Sequence, residues 1–123
     1  MSGWILVLED DPDGRQLLAE TLATTGCDVV ACADAAEAEA ALDNHGPPNV
    51  VLSDLLLQDM PGTDFVVRMR SRPGFEYVPV IFITGMEPSL LADVRDPILT
   101  KPIDIDHLLE LVAQHCPSGG QAA

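Results

Sequence analysis

Apolar and polar residues follow one another in blocks along this chain, and the blocks switch between strand-like and helix-like spacing. Ile5-Leu6-Val7-Leu8 is a continuous apolar run, as expected of a strand covered on both faces. It stops at Glu9-Asp10-Asp11, and Pro12 then suits the first turn of a helix. Leu17, Leu18 and Leu22 give that helix an apolar side, and Gly26 ends it. Cys27 to Cys32 reads as a second short strand. Asp34-Ala35-Ala36-Glu37 has the form of a capping box and opens an alanine-rich helix that runs toward Gly46-Pro47-Pro48. Val50-Val51-Leu52 forms a third strand, ending at Ser53-Asp54. Pro61-Gly62 breaks the chain, and Thr63 is placed to cap a helix carrying Phe65, Val66 and Met69, which ends at Pro73-Gly74. Val78 to Ile83 is a fourth strand, ending at Thr84-Gly85, and Ile98-Leu99 a short fifth, ending at Thr100-Lys101. Ile105, Leu108, Leu109 and Val112 fall at i, i+3, i+4 and i+7, which predicts a last helix.

Strands that alternate with helices predict an α/β fold: a doubly wound, five-stranded parallel sheet with helices on both faces. No linker or repeat divides the chain, so one domain is expected over residues 1–117, with 118–123 as a flexible C-terminal tail of small and polar residues. Residues 85–96 must supply a whole crossover, close to the minimum of about 10–12 residues for a parallel connection. The fourth helix is therefore expected to be short or irregular, with Pro88 at its start and Asp96-Pro97 extended.

Composition narrows the function classes. The chain has 123 residues, enough for one core, and 47% of them are apolar, which argues against disorder. No apolar run approaches the roughly 18 residues of a membrane span. Met1-Ser2-Gly3-Trp4 has no basic segment, so no secretory signal is read there and the expected location is cytoplasmic. The net charge of -14, from 20 acidic and 6 basic residues, would repel phosphate backbones and argues against direct nucleic-acid binding. It also leaves room for a carboxylate cluster that needs a hard cation. Cys27, Cys32 and Cys116 are odd in number and do not fit metal-ligand spacing. Cys27 and Cys32 read as small buried apolar side chains. Five of the six basic residues are arginines, and Lys101 is the only lysine. A single ammonium on a flexible stem differs chemically from an arginine fork.

The unusual polar residues all fall at strand ends. Glu9 and Asp10 follow the first strand, Asp54 ends the third, Thr84 the fourth, and Lys101 follows the fifth. In an open parallel sheet, ligands bind outside the carboxyl ends of the strands, so these five residues would gather on one edge. Three carboxylates there would raise a pKa or recruit a cation. Mg²⁺ suits a few carboxylates, a carbonyl and water. A carboxylate is a competent nucleophile toward phosphorus. A lysine ammonium and a threonine hydroxyl can both serve phosphoryl oxygens.

Four stretches carry a resemblance: Ile5-Leu-Val-Leu-Glu-Asp-Asp-Pro-Asp, Val51-Leu-Ser-Asp-Leu-Leu-Leu-Gln-Asp-Met-Pro-Gly, Val80-Ile-Phe-Ile-Thr-Gly and Leu99-Thr-Lys-Pro. In this order they resemble the response regulator receiver domain of two-component signalling, the CheY-like family. The resemblance implies strand order 2-1-3-4-5. It implies Asp54 as phosphoacceptor from a histidine kinase or histidine phosphotransfer protein. It implies Asp10 and the backbone carbonyl of Leu56 as direct Mg²⁺ ligands, with Glu9 holding the ion mainly through water. Thr84 and Lys101 would sense and neutralise the phosphoryl group, and Lys101-Pro102 would be cis. Such a domain is a signalling phosphoacceptor, not an ordinary enzyme, although it takes part in its own phosphorylation. A downstream protein partner is implied but not specified, and a weak homodimer stays open.

Three departures stand against that pattern. The 85–96 segment is short, Ile98 stands where many relatives carry Tyr or Phe, and Gln58 stands where proline is frequent. An aromatic-rotation switch is then unavailable, and the loop after Asp54 is expected to be less rigid. Two other functions compete. A receiver regulated by binding alone would not need the intact Glu9, Asp10, Asp54, Thr84 and Lys101. A dehalogenase-like phosphatase would need an Asp in place of Glu9 and room for a cap domain. Asp11, beside Pro12, reads as a helix cap. His45, His107 and His115 read as surface residues, and Trp4 should lie at the end of the sheet opposite the site.

Overall fold

A computed structural model describes residues 3–85 and 94–116. Among these residues, nine elements run in the order β1 (Trp4–Leu8), α1 (Pro12–Ala23), β2 (Asp28–Cys32), α2 (Ala35–His45), β3 (Val50–Asp54), α3 (Gly62–Arg70), β4 (Val80–Thr84), β5 (Ile98–Thr100) and α4 (Ile105–Ala113). The strands form one parallel sheet in the order β2-β1-β3-β4-β5. The alternation of strands and helices and the order implied by the resemblance are both present. The crossover helix expected around Pro88 lies outside the described residues, as does the tail 118–123.

The continuous apolar runs work because the central strands are covered twice. β1, β3 and β4 are buried at every position. Alternate side chains enter opposite cores, as the two-residue period of a strand requires. Ile5, Val7, Leu52, Ile81 and Ile83 pack with Leu18 and Leu22 of α1 and with Leu108 and Val112 of α4. Leu6, Leu8, Val51 and Phe82 pack with Ala38 and Leu42 of α2 and with Phe65 and Met69 of α3. The stripe predicted for the last helix is partly buried: Leu108 and Val112 are fully covered, while Ile105 and Leu109 are half-buried.

Among the described helices, starts follow the capping chemistry in three of four cases. Asp11, Asp34 and Asp104 each accept an amide of the first turn, from Gly14, Glu37 and His107 respectively. The capping box at Asp34 is modified, because the Glu37 carboxylate takes the amide of Ala33 instead of the cap residue's own. The expected Thr63 cap is not made: α3 begins at Gly62 with Pro61 as an N-cap lacking a side-chain bond. The reason is a close approach, since a Cβ at Gly62 would overlap the Asp54 carbonyl oxygen. Only glycine lets the helix start this near the end of β3.

The cysteine reading needs a correction. Cys27 and Cys116 are joined by a disulfide, 89 residues apart in sequence, with Cα atoms 6.7 Å apart. Both are buried, as expected of Cys27, but Cys27 is not a free apolar side chain. Cys32 is the free thiol among the described residues; it lies in the other core, where burial pushes it up to about 11.

Candidate functional site

Strand register builds the site. Leu8 pairs with Ser53, Ser53 with Phe82, and Phe82 with Ile98. The next residues, Glu9, Asp54, Ile83 and Leu99, therefore form one row across the carboxyl end of the sheet. Glu9 shares the parity of Val7, Asp54 that of Leu52, and Lys101 that of Leu99, so these three residues are directed to one face. The Lys101 amide donates to the Thr84 carbonyl at 2.8 Å, which carries the register one residue beyond β5. The Lys101-Pro102 bond is cis, as the resemblance implied.

The sequence-predicted acids do converge. Glu9, Asp10 and Asp54 each bring a carboxylate oxygen within 4.8 Å of the others. Glu9 is 2% exposed and Asp54 6%. Asp10 is half-buried at the mouth. A cavity of about 240 Å³ opens above them, lined by Asp10, Asp54, Leu56, Thr84, Gly85 and Lys101 among others. Lys101 Nζ stands 3.2 Å from Glu9 Oε1 and 3.5 Å from Asp54 Oδ1. The lysine thus offsets part of the negative charge.

That offset is incomplete. Burial, followed by the hydrogen bond and charge of Glu9, pushes Asp54 up to about 7, against the opposing charge of Lys101. Burial also works against the Lys101 ammonium, but the charges of Asp54 and Glu9 outweigh it and hold Lys101 above the usual lysine range. A buried carboxylate row that one ammonium cannot balance favours a further cation. All the candidate donors are hard oxygens, a set that fits Mg²⁺.

The loop after Asp54 adds a carbonyl. Leu57 N–H donates to Met60 O at 3.0 Å and Gly62 N–H to Leu55 O at 2.6 Å, around a bridge between Leu56 and Pro61. In that antiparallel pattern the bridged residues' own carbonyls take no part in the rungs. The Leu56 carbonyl is thereby left out of the loop's ladder, and Leu56 lines the cavity.

Two supporting residues were not picked out from the sequence. Arg15 reaches back from α1 and donates to the Glu9 carbonyl at 2.9 Å and to the Asp10 carbonyl at 3.5 Å, fixing the acidic turn. Its position one turn into α1 was the available signal. Asp59, in the loop after Asp54, accepts from the Ala35 and Ala36 amides, and the first of these bonds above all holds its carboxyl below the usual range. Asp11 caps α1 as expected, and its amide donates to Glu9 Oε2 at 3.1 Å. His45 and His107 are exposed and neither lines the cavity; His45 lies against Trp4, 5.2 Å between ring centroids, at the other end of β1. Beside Lys101, an apolar groove lined by Leu17, Leu18, Pro102, Ile103 and Ile105 runs between α1 and the start of α4. No helix is long and apolar enough to cross a membrane, among the described residues.

Comparison with known proteins agrees with this geometry. The family model for the response regulator receiver domain matches residues 5–113. An uncharacterized 14.6 kDa protein of Leptolyngbya boryana is 36% identical over 91% of this chain and 88% of its own length. Several other curated relatives are longer, and the chain spans 42–49% of them. The chemotaxis protein CheY4 of Vibrio cholerae has a TM-score of 0.82 at 25% identity, covering 94% of this chain and 99% of that one. The receiver domain of the sensor histidine kinase PA1611 from Pseudomonas aeruginosa has a TM-score of 0.80 at 21% identity, covering 94% and 98%. That structure holds a magnesium ion in its active site cleft. With the strand order, the acidic row and the family match in agreement, this chain belongs to the response regulator receiver domains.

Proposed function

We propose that Asp54 is the phosphoacceptor of this receiver, charged by a phosphohistidine of a histidine kinase or phosphotransfer protein. The observation that carries this reading is the convergence of Glu9, Asp10 and Asp54 within 4.8 Å, with Lys101 against two of them. In the transfer, an Asp54 carboxylate oxygen forms a P–O bond while the P–N bond to the donor imidazole breaks. The electron pair of that bond stays on the imidazole nitrogen, which takes a proton from water. Lys101 turns its ammonium to a phosphoryl oxygen, and the Thr84 hydroxyl donates to another. Asp10, Asp54 and the Leu56 carbonyl would hold Mg²⁺, with Glu9 assisting through water; the ion supplies neutralising charge to the transferring group. The domain contributes these groups to its own phosphorylation and to slow hydrolysis of the product. The groove beside Lys101 offers the donor protein apolar surface next to the acceptor. Ile98 is half-buried against the core and carries no aromatic ring, so the phosphorylated state is read by partner contacts that do not use aromatic rotation.

Incubation with Mg²⁺ and acetyl phosphate tests this reading by intact mass. One phosphoryl adduct is expected on the parent protein, none on Asp54→Ala, and none after chelation of the metal. An unmodified parent under donor excess, or an undiminished adduct on Asp54→Ala, would overturn it.

A further inference from the structure

Asp59 sits near the tip of the 55–61 loop, and both its carboxylate oxygens accept from α2. Oδ1 takes the Ala35 amide at 3.1 Å and Oδ2 the Ala36 amide at 3.2 Å. These are the first two residues of the helix, whose amides have no partner within it. The helix's own cap, Asp34, reaches only the Glu37 amide, at 2.9 Å. A residue 24 positions away thus completes the cap. A local cap stabilises one helix, whereas this bond also ties a loop to that helix.

The loop needs such a tie. Leu55 and Leu57 are buried, but Leu56, Gln58 and Asp59 are exposed. Gln58 leaves φ free where a proline would restrict it. The two rungs between 55–57 and 60–62 join the two sides of the loop into a narrow ladder. The direction of the Leu56 carbonyl therefore depends on how that ladder is held. Its own side chain cannot set it, being 64% exposed.

We propose that Asp59 is a positioning residue, which fastens the acceptor loop to the amino end of α2 and so aims the Leu56 carbonyl at the acidic cluster. The inference rests on the phosphoacceptor reading, which places a divalent cation there. Coupling is reciprocal, so filling the site is also felt at the Ala35 and Ala36 amides. α2 then becomes a surface that responds to the site without the aromatic switch.

Mg²⁺ titrations followed by ¹H–¹⁵N NMR test this on the parent, Asp59→Ala, Asp59→Asn and Asp34→Ala. Asp59→Ala should bind Mg²⁺ about tenfold more weakly, the low end for residues that orient metal ligands. Asp59→Asn keeps one acceptor oxygen and should fall between it and the parent. Asp34→Ala loses a cap on the same helix, should show a comparable drop in Tm, and should bind Mg²⁺ as the parent does. In the parent, the Ala35 and Ala36 resonances should move on titration; in Asp59→Ala they should not follow the metal. Equal Mg²⁺ affinity in Asp59→Ala and the parent, or an equal loss in Asp34→Ala, overturns the positioning role alone. A parent that binds no Mg²⁺ removes the phosphoacceptor reading and this inference with it.

Discussion

The two ends of the sheet are built on opposite principles. At the carboxyl end lie the four buried polar residues among those described, Glu9, Ser53, Asp54 and Thr84. Two of them are acids in contact with one partly exposed lysine. At the amino end, neutral and covalent links do the fastening. The Trp4 amide donates to Asn49 Oδ1 at 3.3 Å, the Asn49 amide to the Trp4 carbonyl at 2.8 Å, and Asn49 Nδ2 to the His115 carbonyl at 3.0 Å. The Cys27–Cys116 disulfide closes the same region. Burying like charges costs stability. An end fastened by uncharged links can supply it. Site and fastening are thus separated along the strands, so each can be changed with little effect on the other.

The largest effect expected is from the disulfide. Closing a ring of 89 residues is worth about 4–5 kcal/mol by chain entropy, and removal of native disulfides commonly costs about 2–5 kcal/mol. Reduction, or Cys27→Ser with Cys116→Ser, should lower Tm by roughly 10 °C or more. The Mg²⁺-dependent adduct on Asp54 should persist in the reduced protein below its Tm. Thiol labelling of the denatured, unreduced chain should find one free cysteine, Cys32; three would show that the bridge does not form.

Next comes pH, with the sign set by Asp54. Its carboxyl lies near 7 in the folded protein and starts from 3.8. The folded state thus binds the proton more tightly than the unfolded chain. The stability this contributes is complete below about pH 4 and is lost as pH rises through 7. The full shift corresponds to about 4 kcal/mol, an upper bound for a group in contact with other charges, and a measured effect on the order of 2 kcal/mol is expected. In metal-free buffer, Asp54→Asn should therefore be more stable than the parent at pH 8 by that amount and similar at pH 4. Urea melts at the two pH values measure it. An Asn variant that is less stable than the parent at pH 8 would mean that the acidic row is not under the repulsion described.

Much of this arrangement was legible in the sequence. Glu9, Asp10, Asp54, Thr84 and Lys101 each follow a recognisable apolar run, and a parallel sheet brings all such ends to one edge. Their meeting needed chain order alone. Asp59 was not legible, because its partners Ala35 and Ala36 belong to a helix start that meets the loop only after α2 packs on the sheet. The Cys27–Cys116 pair was hidden for the same reason: nothing local shows that α4 ends beside the start of β2. Thr63 misled because capping preference was read without the close approach of Gly62 to Asp54. Residues placed by topology could be read; those placed by the meeting of two packed elements could not.

Asn49 offers the smallest and cleanest break between the two ends. Its side chain joins the start of β1 to the segment after α4, through one accepted and one donated bond. Asn49→Ala leaves the Trp4 amide and the His115 carbonyl without those partners, in a half-buried place where water can replace them in part. The cost should be about 1–2 kcal/mol. Asn49 precedes β3 and Asp54 ends it, so the strand's five residues keep the two sites roughly 16 Å apart. At that distance, without shared partners, effects on stability add within about 0.5 kcal/mol. The double variant Asn49→Ala, Asp54→Asn should thus melt in urea, metal-free at pH 8, close to the parent, the loss at one end offsetting the gain at the other. Asn49→Ala alone should still form the adduct in full. A double variant far from the sum, or an adduct lost with Asn49, would show that the two ends are coupled through β3.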